Sequence, residues 1–124
     1  MPAYDFDHVH HETADVGVAV DFYKRVFGAT SEAPFERGGA TWVAVHIGAA
    51  KITVTDRDFR AMELGRYQGY DHLALTTDDF EASLRDIEHH AVPIWTGPIT
   101  LETGQRLVFV IGPDNTKIEI MEQV

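Results

Sequence analysis

The feature that most constrains this chain is that it says the same thing twice. Phe6-Asp7-His8-Val9 returns as Tyr70-Asp71-His72-Leu73, and each His is followed at the same spacing by an Asp, Asp15 and Asp79. Both Asp residues stand where a helix N-cap belongs, with a side-chain oxygen able to accept from free amides of the first turn. A stretch of helical period follows each one: Val16, Val20, Tyr23 and Phe27 form a stripe in the first copy, and Phe80, Leu84, Ile87 and Ala91 in the second. Gly28 suits the end of the first helix and Pro93 helps to stop the second. Sequence rich in β-formers comes next in each copy. Thr41–Gly48 and Lys51–Thr55 match Arg106–Gly112 and Lys117–Met121, with Ile47-Gly48 and Ile111-Gly112 at the same place. Less regular strands are expected near Ser31–Glu36 and Ile94–Leu101.

Each copy therefore reads strand, helix, strand, strand, strand. The predicted fold class is α+β: two βαβββ modules forming a curved, barrel-like mixed sheet around a shared hollow, with helices on the outer face. Module one covers about 5–56, a linker 57–69 carries Arg57, Arg60 and Arg66 and a possible helical turn, and module two covers about 70–124, the whole making a single domain. Neither module has an obvious core alone, so they are expected to pair with each other or across a homodimer.

Composition narrows the function classes. At 124 residues with 44% hydrophobic content, the chain suits one compact domain. A formal charge of -10 argues against nucleic acid, whose phosphates need a basic face. There is no apolar run long enough to span a bilayer, and Met1–Asp7 does not read as a signal peptide, so no membrane partner is expected and a cytoplasmic location is the default. With no cysteine, any metal must take nitrogen and oxygen ligands. Seven histidines are many for this length.

Alternation along the strands sorts those histidines. His8, His10 and Glu12 share one face of the first strand, and Val9, His11 and Thr13 the other. His72, Ala74 and Thr76 share a face opposite Leu73 and Leu75. In the last strand Ile118 and Ile120 face the helices, which turns Glu119 and Met121 the other way. A polar cluster of His8, His10, His72 and Glu119 on a concave face needs partners, because burying such groups alone is costly. A lone strand histidine is more often a hydrogen-bonded structural residue than a ligand. Two at equivalent repeat positions, with a glutamate on the same face, make a divalent metal the competing explanation, and Fe, Mn, Zn, Ni or Co all suit such donors.

At these residues the chain resembles the vicinal oxygen chelate superfamily, which includes glyoxalase I, methylmalonyl-CoA epimerase, extradiol dioxygenases, fosfomycin-resistance enzymes and bleomycin-binding proteins. The matching segments are Asp7-His8-Val9, Asp15, Asp21-Phe22-Tyr23 and Phe27-Gly28, then Asp71-His72-Leu73 and Gly112-Pro113-Asp114-Asn115 running to Ile118-Glu119-Ile120. The resemblance covers nearly the whole chain and implies His8, His72 and Glu119 as the ligands of one divalent metal ion. The position where glyoxalase I carries a further carboxylate falls on Thr53, when Lys51-Ile52-Thr53 is laid on Lys117-Ile118-Glu119, which argues against ordinary glyoxalase I activity. The implied function is a metal-dependent enzyme acting on a small oxygenated substrate chelated through vicinal oxygens, most simply a proton-transfer isomerase or lyase. The alternatives are a ring-cleaving non-haem iron dioxygenase, a fosfomycin-resistance-type transferase and a non-catalytic drug-binding protein; the last generally lacks the metal set.

A proton-transfer enzyme needs an acid or base beside the metal, and His10 and Glu12 are the candidates. His10 lies roughly 6–7 Å beyond His8 along the strand, so it can be catalytic, line the site, or replace His8 as ligand; the Asp-His register favours His8. Glu12 can instead pair with a linker arginine. His46 is expected to face away from the hollow and His89 and His90 to suit the helix dipole, while Trp42, Trp95 and Phe109 either line the pocket or fill the core, with the core favoured.

Overall fold

A computed structural model describes residues 1–57 and 60–124. The chain divides into two units, Met1–Arg60 and Ala61–Val124. The first contains β1 (Val9–Glu12), α1 (Val16–Phe27), β2 (Thr30–Ser31), β3 (Phe35–Arg37), β4 (Ala40–Ile47) and β5 (Ala50–Thr55). The second contains β6 (Leu73–Thr77), α2 (Phe80–His89), β7 (Ile94–Thr100), β8 (Arg106–Ile111), a 3-10 turn (Pro113–Asn115) and β9 (Lys117–Glu122). The α+β class and the two βαβββ units are as the repeat implies. Among the described residues the strands form two mixed sheets, β1-β5-β4-β2 with β3 on β4, and β6-β9-β8-β7, and the sheets are not closed. The expected strand at Ser31–Glu36 is broken into β2 and β3, both antiparallel to β4. Arg60–Gly69 holds no helical turn, and the Asp58 and Phe59 part of the expected linker lies outside the described residues.

Both helices start as their sequences dictate. Asp15 accepts from the Val18 amide at 3.1 Å and Asp79 from the Ala82 amide at 2.9 Å. Gly28 closes α1 in the left-handed region, φ 66°, where a side chain would be strained. The second helix ends earlier than Pro93: Ala91 adopts φ 54° and is exposed, so Val92 supplies the buried contact expected of Ala91. In α1 the buried stripe is Val16, Ala19, Phe22, Tyr23 and Val26, with Val20 and Phe27 only half-buried at its margins.

In the first unit β1 runs parallel to β5, and β5 antiparallel to β4. Ile52 and Val54 pair with Val45 and Val43, and this apolar face forms the core with α1. His11 belongs to that face too, buried and bonded to the Tyr23 hydroxyl at 2.8 Å. In the second unit β6 runs parallel to β9, and β9 antiparallel to β8. Val108, Val110, Ile118 and Ile120 form its core with Phe80 and Ile87. One face of each sheet is thereby committed to the apolar core, and the other carries the polar side chains.

Candidate functional site

The free face of the second sheet is built by register. Glu119 stands opposite Ala74 on one side and Phe109 on the other, so all three share the face away from Ile118 and Ile120. His72, one pleat before Ala74, joins them. Its Nε2 is 3.1 Å from Glu119 Oε1, and its ring meets Phe109 edge-on at 4.9 Å. Its Nδ1 lies 2.9 Å from Asp71 Oδ2, while Asp71 Oδ1 accepts from Lys117 Nζ at 2.5 Å. Lys117 is buried and also donates to the Gly65 carbonyl at 2.6 Å. The Lys117 hydrogen bond, reinforced by that of His72, pulls the Asp71 carboxyl down to about 2, so it is an anion and His72 Nδ1 must donate to it. The ring's other nitrogen, Nε2, meets a carboxylate oxygen, and an imidazole nitrogen and a carboxylate at that distance need a proton or a cation between them.

The first unit carries the counterpart of this arrangement with different residues. His8 Nδ1 is 2.6 Å from Asp7 Oδ2, and that hydrogen bond, aided by the positive charge of Lys51, lowers the Asp7 carboxyl below its usual range. The ladders of the two units coincide: Val9 faces Ile52 as Leu73 faces Ile118, and Ala44 faces Thr53 as Phe109 faces Glu119. Thr53 therefore occupies the place of Glu119, as the alignment of the two repeats requires, and His10 the place of Ala74. Trp42 and His46 lie on this same free face, since they pair with Thr55 and Lys51.

His10 and Glu12 lie side by side on this face. His10 Nε2 is 3.2 Å from Glu12 Oε1 but without hydrogen-bond geometry, and among the described residues it is buried with no hydrogen-bond partner. Glu12 Oε1 accepts from Arg57 Nε at 2.8 Å, as the pairing with a linker arginine anticipated, and Oε2 is buried with no hydrogen-bond partner among the described residues. The Trp42 ring holds both neighbours, His10 edge-on at 5.4 Å and the Arg57 guanidinium over its face at 5.3 Å. Burial lowers the His10 pKa against the pull of Glu12, with Arg57 adding to the lowering. The result is a neutral imidazole beside a carboxylate that keeps one oxygen unused.

A model of the Glyoxalase/Bleomycin resistance protein/Dioxygenase superfamily matches residues 5–120. This chain belongs to that superfamily. Members and relatives of known structure agree in fold. A protein from the mobile metagenome of V. pseudocholerae is 25% identical with a TM-score of 0.73, over 100% of this chain and 98% of that one. The trypanothione-dependent glyoxalase I of Leishmania major is 21% identical, TM-score 0.77, over 97% of this chain and 87% of its own. A glyoxylase/bleomycin resistance protein/dioxygenase domain from Frankia sp. EAN1pec is 14% identical, TM-score 0.82, over 99% and 100%. No curated protein matches the sequence.

Within the superfamily fold, the structure brings His72 and Glu119 together in the second unit and places His8, His10 and Glu12 in the first. Among the described residues, no group of three or more His, Cys, Asp or Glu is placed to hold a metal ion. The donor pair of the second unit nonetheless fits one chemically. An imidazole nitrogen stripped of its proton and a carboxylate oxygen are what a divalent cation of the Fe, Mn, Zn, Ni or Co type takes. Three placements differ from the sequence-based expectation. His46 is on the free face, at 2.8 Å from Glu32, because its ladder partner is Lys51. Trp42 and Phe109 touch the site histidines and do not fill the core. Trp95 is half-buried with the Lys117 ammonium 5.8 Å from its ring centre. The sequence reading gave no role to Asp7, Asp71 or Lys117, although the repeated Asp-His dipeptide and the repeated lysine were in plain view.

Proposed function

We propose that this superfamily member is a metal-dependent enzyme that moves a proton on a small organic substrate bearing vicinal oxygens, as an isomerase or lyase. The observation that carries the reading is the His72–Glu119 pair, an imidazole nitrogen 3.1 Å from a carboxylate oxygen with the other ring nitrogen already committed to Asp71. His72, Glu119 and His8 would hold one divalent ion, with His8 drawn from the same chain or from the second copy in a homodimer. Such an ion, when bound, holds two substrate oxygens and stabilises negative charge developing on them. Glu12 Oε2, free of hydrogen bonds, takes the proton from carbon. Arg57 holds the other carboxylate oxygen and keeps the group oriented through the transfer. His10, neutral and with an unused nitrogen, returns or relays the proton. Thr53, standing where a carboxylate would make a fourth ligand, leaves that place for a substrate oxygen.

The test has two arms. Elemental analysis of purified protein should find about one divalent ion per chain, lost in His72→Ala. Deuterium wash-in from D2O into α-hydroxyketones, followed by NMR, should occur with the loaded protein and stop in the His10→Gln/Glu12→Gln double variant while metal content is kept. Full exchange in the double variant would remove both residues from the chemistry. Light scattering of the native protein should give the mass of a homodimer.

A further inference from the structure

The Lys117 side chain is only 7% exposed. A buried ammonium needs acceptors, and it has two: the Gly65 carbonyl at 2.6 Å and Asp71 Oδ1 at 2.5 Å. The other oxygen of Asp71 takes His72 Nδ1 at 2.9 Å. A carboxylate held at one oxygen can rotate about its Cβ–Cγ bond; held at both, it cannot. The rigid end of the relay is therefore the ammonium, fixed by a strand on one side and a backbone carbonyl on the other. The lysine is on β9, two residues from Glu119, so the strand that supplies the carboxylate also sets the orientation of the imidazole.

The first unit gives an independent reason to see a device here and not an isolated ion pair. Lys51 stands in the ladder place of Lys117, and Asp7 holds His8 Nδ1 at 2.6 Å as Asp71 holds His72. The same three residue types recur in the same order at both histidines that the resemblance implies as ligands.

We propose that Lys117 and Asp71 are positioning residues that lock the His72 ring with its proton on Nδ1, so that Nε2 is presented bare beside Glu119. Asp71 acts on the ring directly and Lys117 acts through Asp71. The lock concerns the metal-holding role of His72 and so rests on the function proposed above, but its structural half can be read without any metal.

The experiment uses the full-length protein with Asp71→Asn, Lys117→Met and Lys117→Arg. In Asp71→Asn the amide still offers an oxygen to Lys117, but its NH2 faces His72 and demands an acceptor there, which drives the proton to Nε2. Two readouts are taken: the protected Nδ1–H resonance of His72 in 1H–15N spectra of metal-free protein, and the Kd for Mn(II) and Zn(II) by competition with a chelating dye. Wild type and Lys117→Arg should show the resonance. Asp71→Asn and Lys117→Met should lose it and bind both metals about 10- to 100-fold more weakly, the usual effect of disturbing a ligand's supporting partner. A folded Lys117→Met protein with the resonance and both affinities unchanged would overturn the proposal. If that variant does not fold, retention of the resonance in Asp71→Asn overturns it equally. A wild type that shows the resonance and takes up neither metal, with Asp71→Asn and Lys117→Met losing the resonance, would uphold the lock and reject the metal-dependent function.

Discussion

Glu12 shows how a single side chain can be held and still be available. One oxygen takes Arg57, the other has no partner, and the group sits beside a neutral His10. Glu12→Gln keeps an oxygen for Arg57, so the fold should lose no more than about 1 kcal/mol, the scale of a partly exposed ion pair. The amide cannot accept a proton from carbon, so deuterium wash-in should fall by about 10²- to 10⁴-fold. Thermal unfolding and exchange measured on the same preparation separate the two effects, and an unchanged exchange rate would take Glu12 out of the mechanism. Core positions behave in the opposite way. Ile52 is 1% exposed, between β1 and β4 on the helix-facing side of the sheet. Ile52→Ala should cost about 2–5 kcal/mol in denaturant unfolding, with the spread set by how far α1 can settle into the gap.

At the level of elements, the caps and ladders carry the organisation. Removing either N-cap, by Asp15→Ala or Asp79→Ala, should cost about 1 kcal/mol, read as a shift in the urea midpoint at constant slope. A clip also joins α2 to its sheet: Arg106 bonds Glu122 at 2.9 Å and Glu81, with its guanidinium 4.8 Å from the Phe80 ring centre. The Arg106 hydrogen bonds hold the Glu122 carboxyl below its usual 4.5. A depressed carboxylate stabilises the fold above its unfolded pKa and loses that contribution as pH falls through the folded one. The Tm gap between wild type and Glu122→Gln should therefore be full at pH 7 and close as the pH drops below about 4.5. A gap independent of pH would show that the carboxylate charge is not what matters. The caps, the strands and the pairing of Thr53 with Glu119 were legible in the sequence because hydrophobic period and duplication write them directly. The core role given to Trp42, Trp95 and Phe109 was not, since an aromatic residue on a strand fits either face and only the ladder partner decides. The splitting of Ser31–Glu36 did have a mark in the sequence, Pro34, which cannot donate to a ladder and lies in the break between β2 and β3, whereas the left-handed backbone at Ala91 falls on a residue with no glycine signal. The relay through Lys117 escaped notice because a lysine reads as solvated until its burial is known.

For the molecule as a whole, binding and stability are one equilibrium. A cation that binds only the native state adds about 2.7 kcal/mol at a hundred times its Kd. EDTA should lower the Tm of the native protein, and His72→Ala should abolish the difference between chelated and loaded samples. A Tm indifferent to EDTA would count against resident metal. No helix among the described residues is long and apolar enough to cross a membrane. The fold is shared with proteins at 14% and 21% identity, so it constrains the catalytic outcome only weakly, and the specificity of this chain is carried by what decorates the free faces. The hydrogen bond from Lys117 to Gly65 widens that set of decorations. It moors the segment leading into β6 to the same cation that steadies the imidazole. Drift in that segment is mechanically connected to the His72 ring. Selection could thus retune the setting of that ring by lengthening, shortening or stiffening a tether, leaving the side chains of the free face as they were.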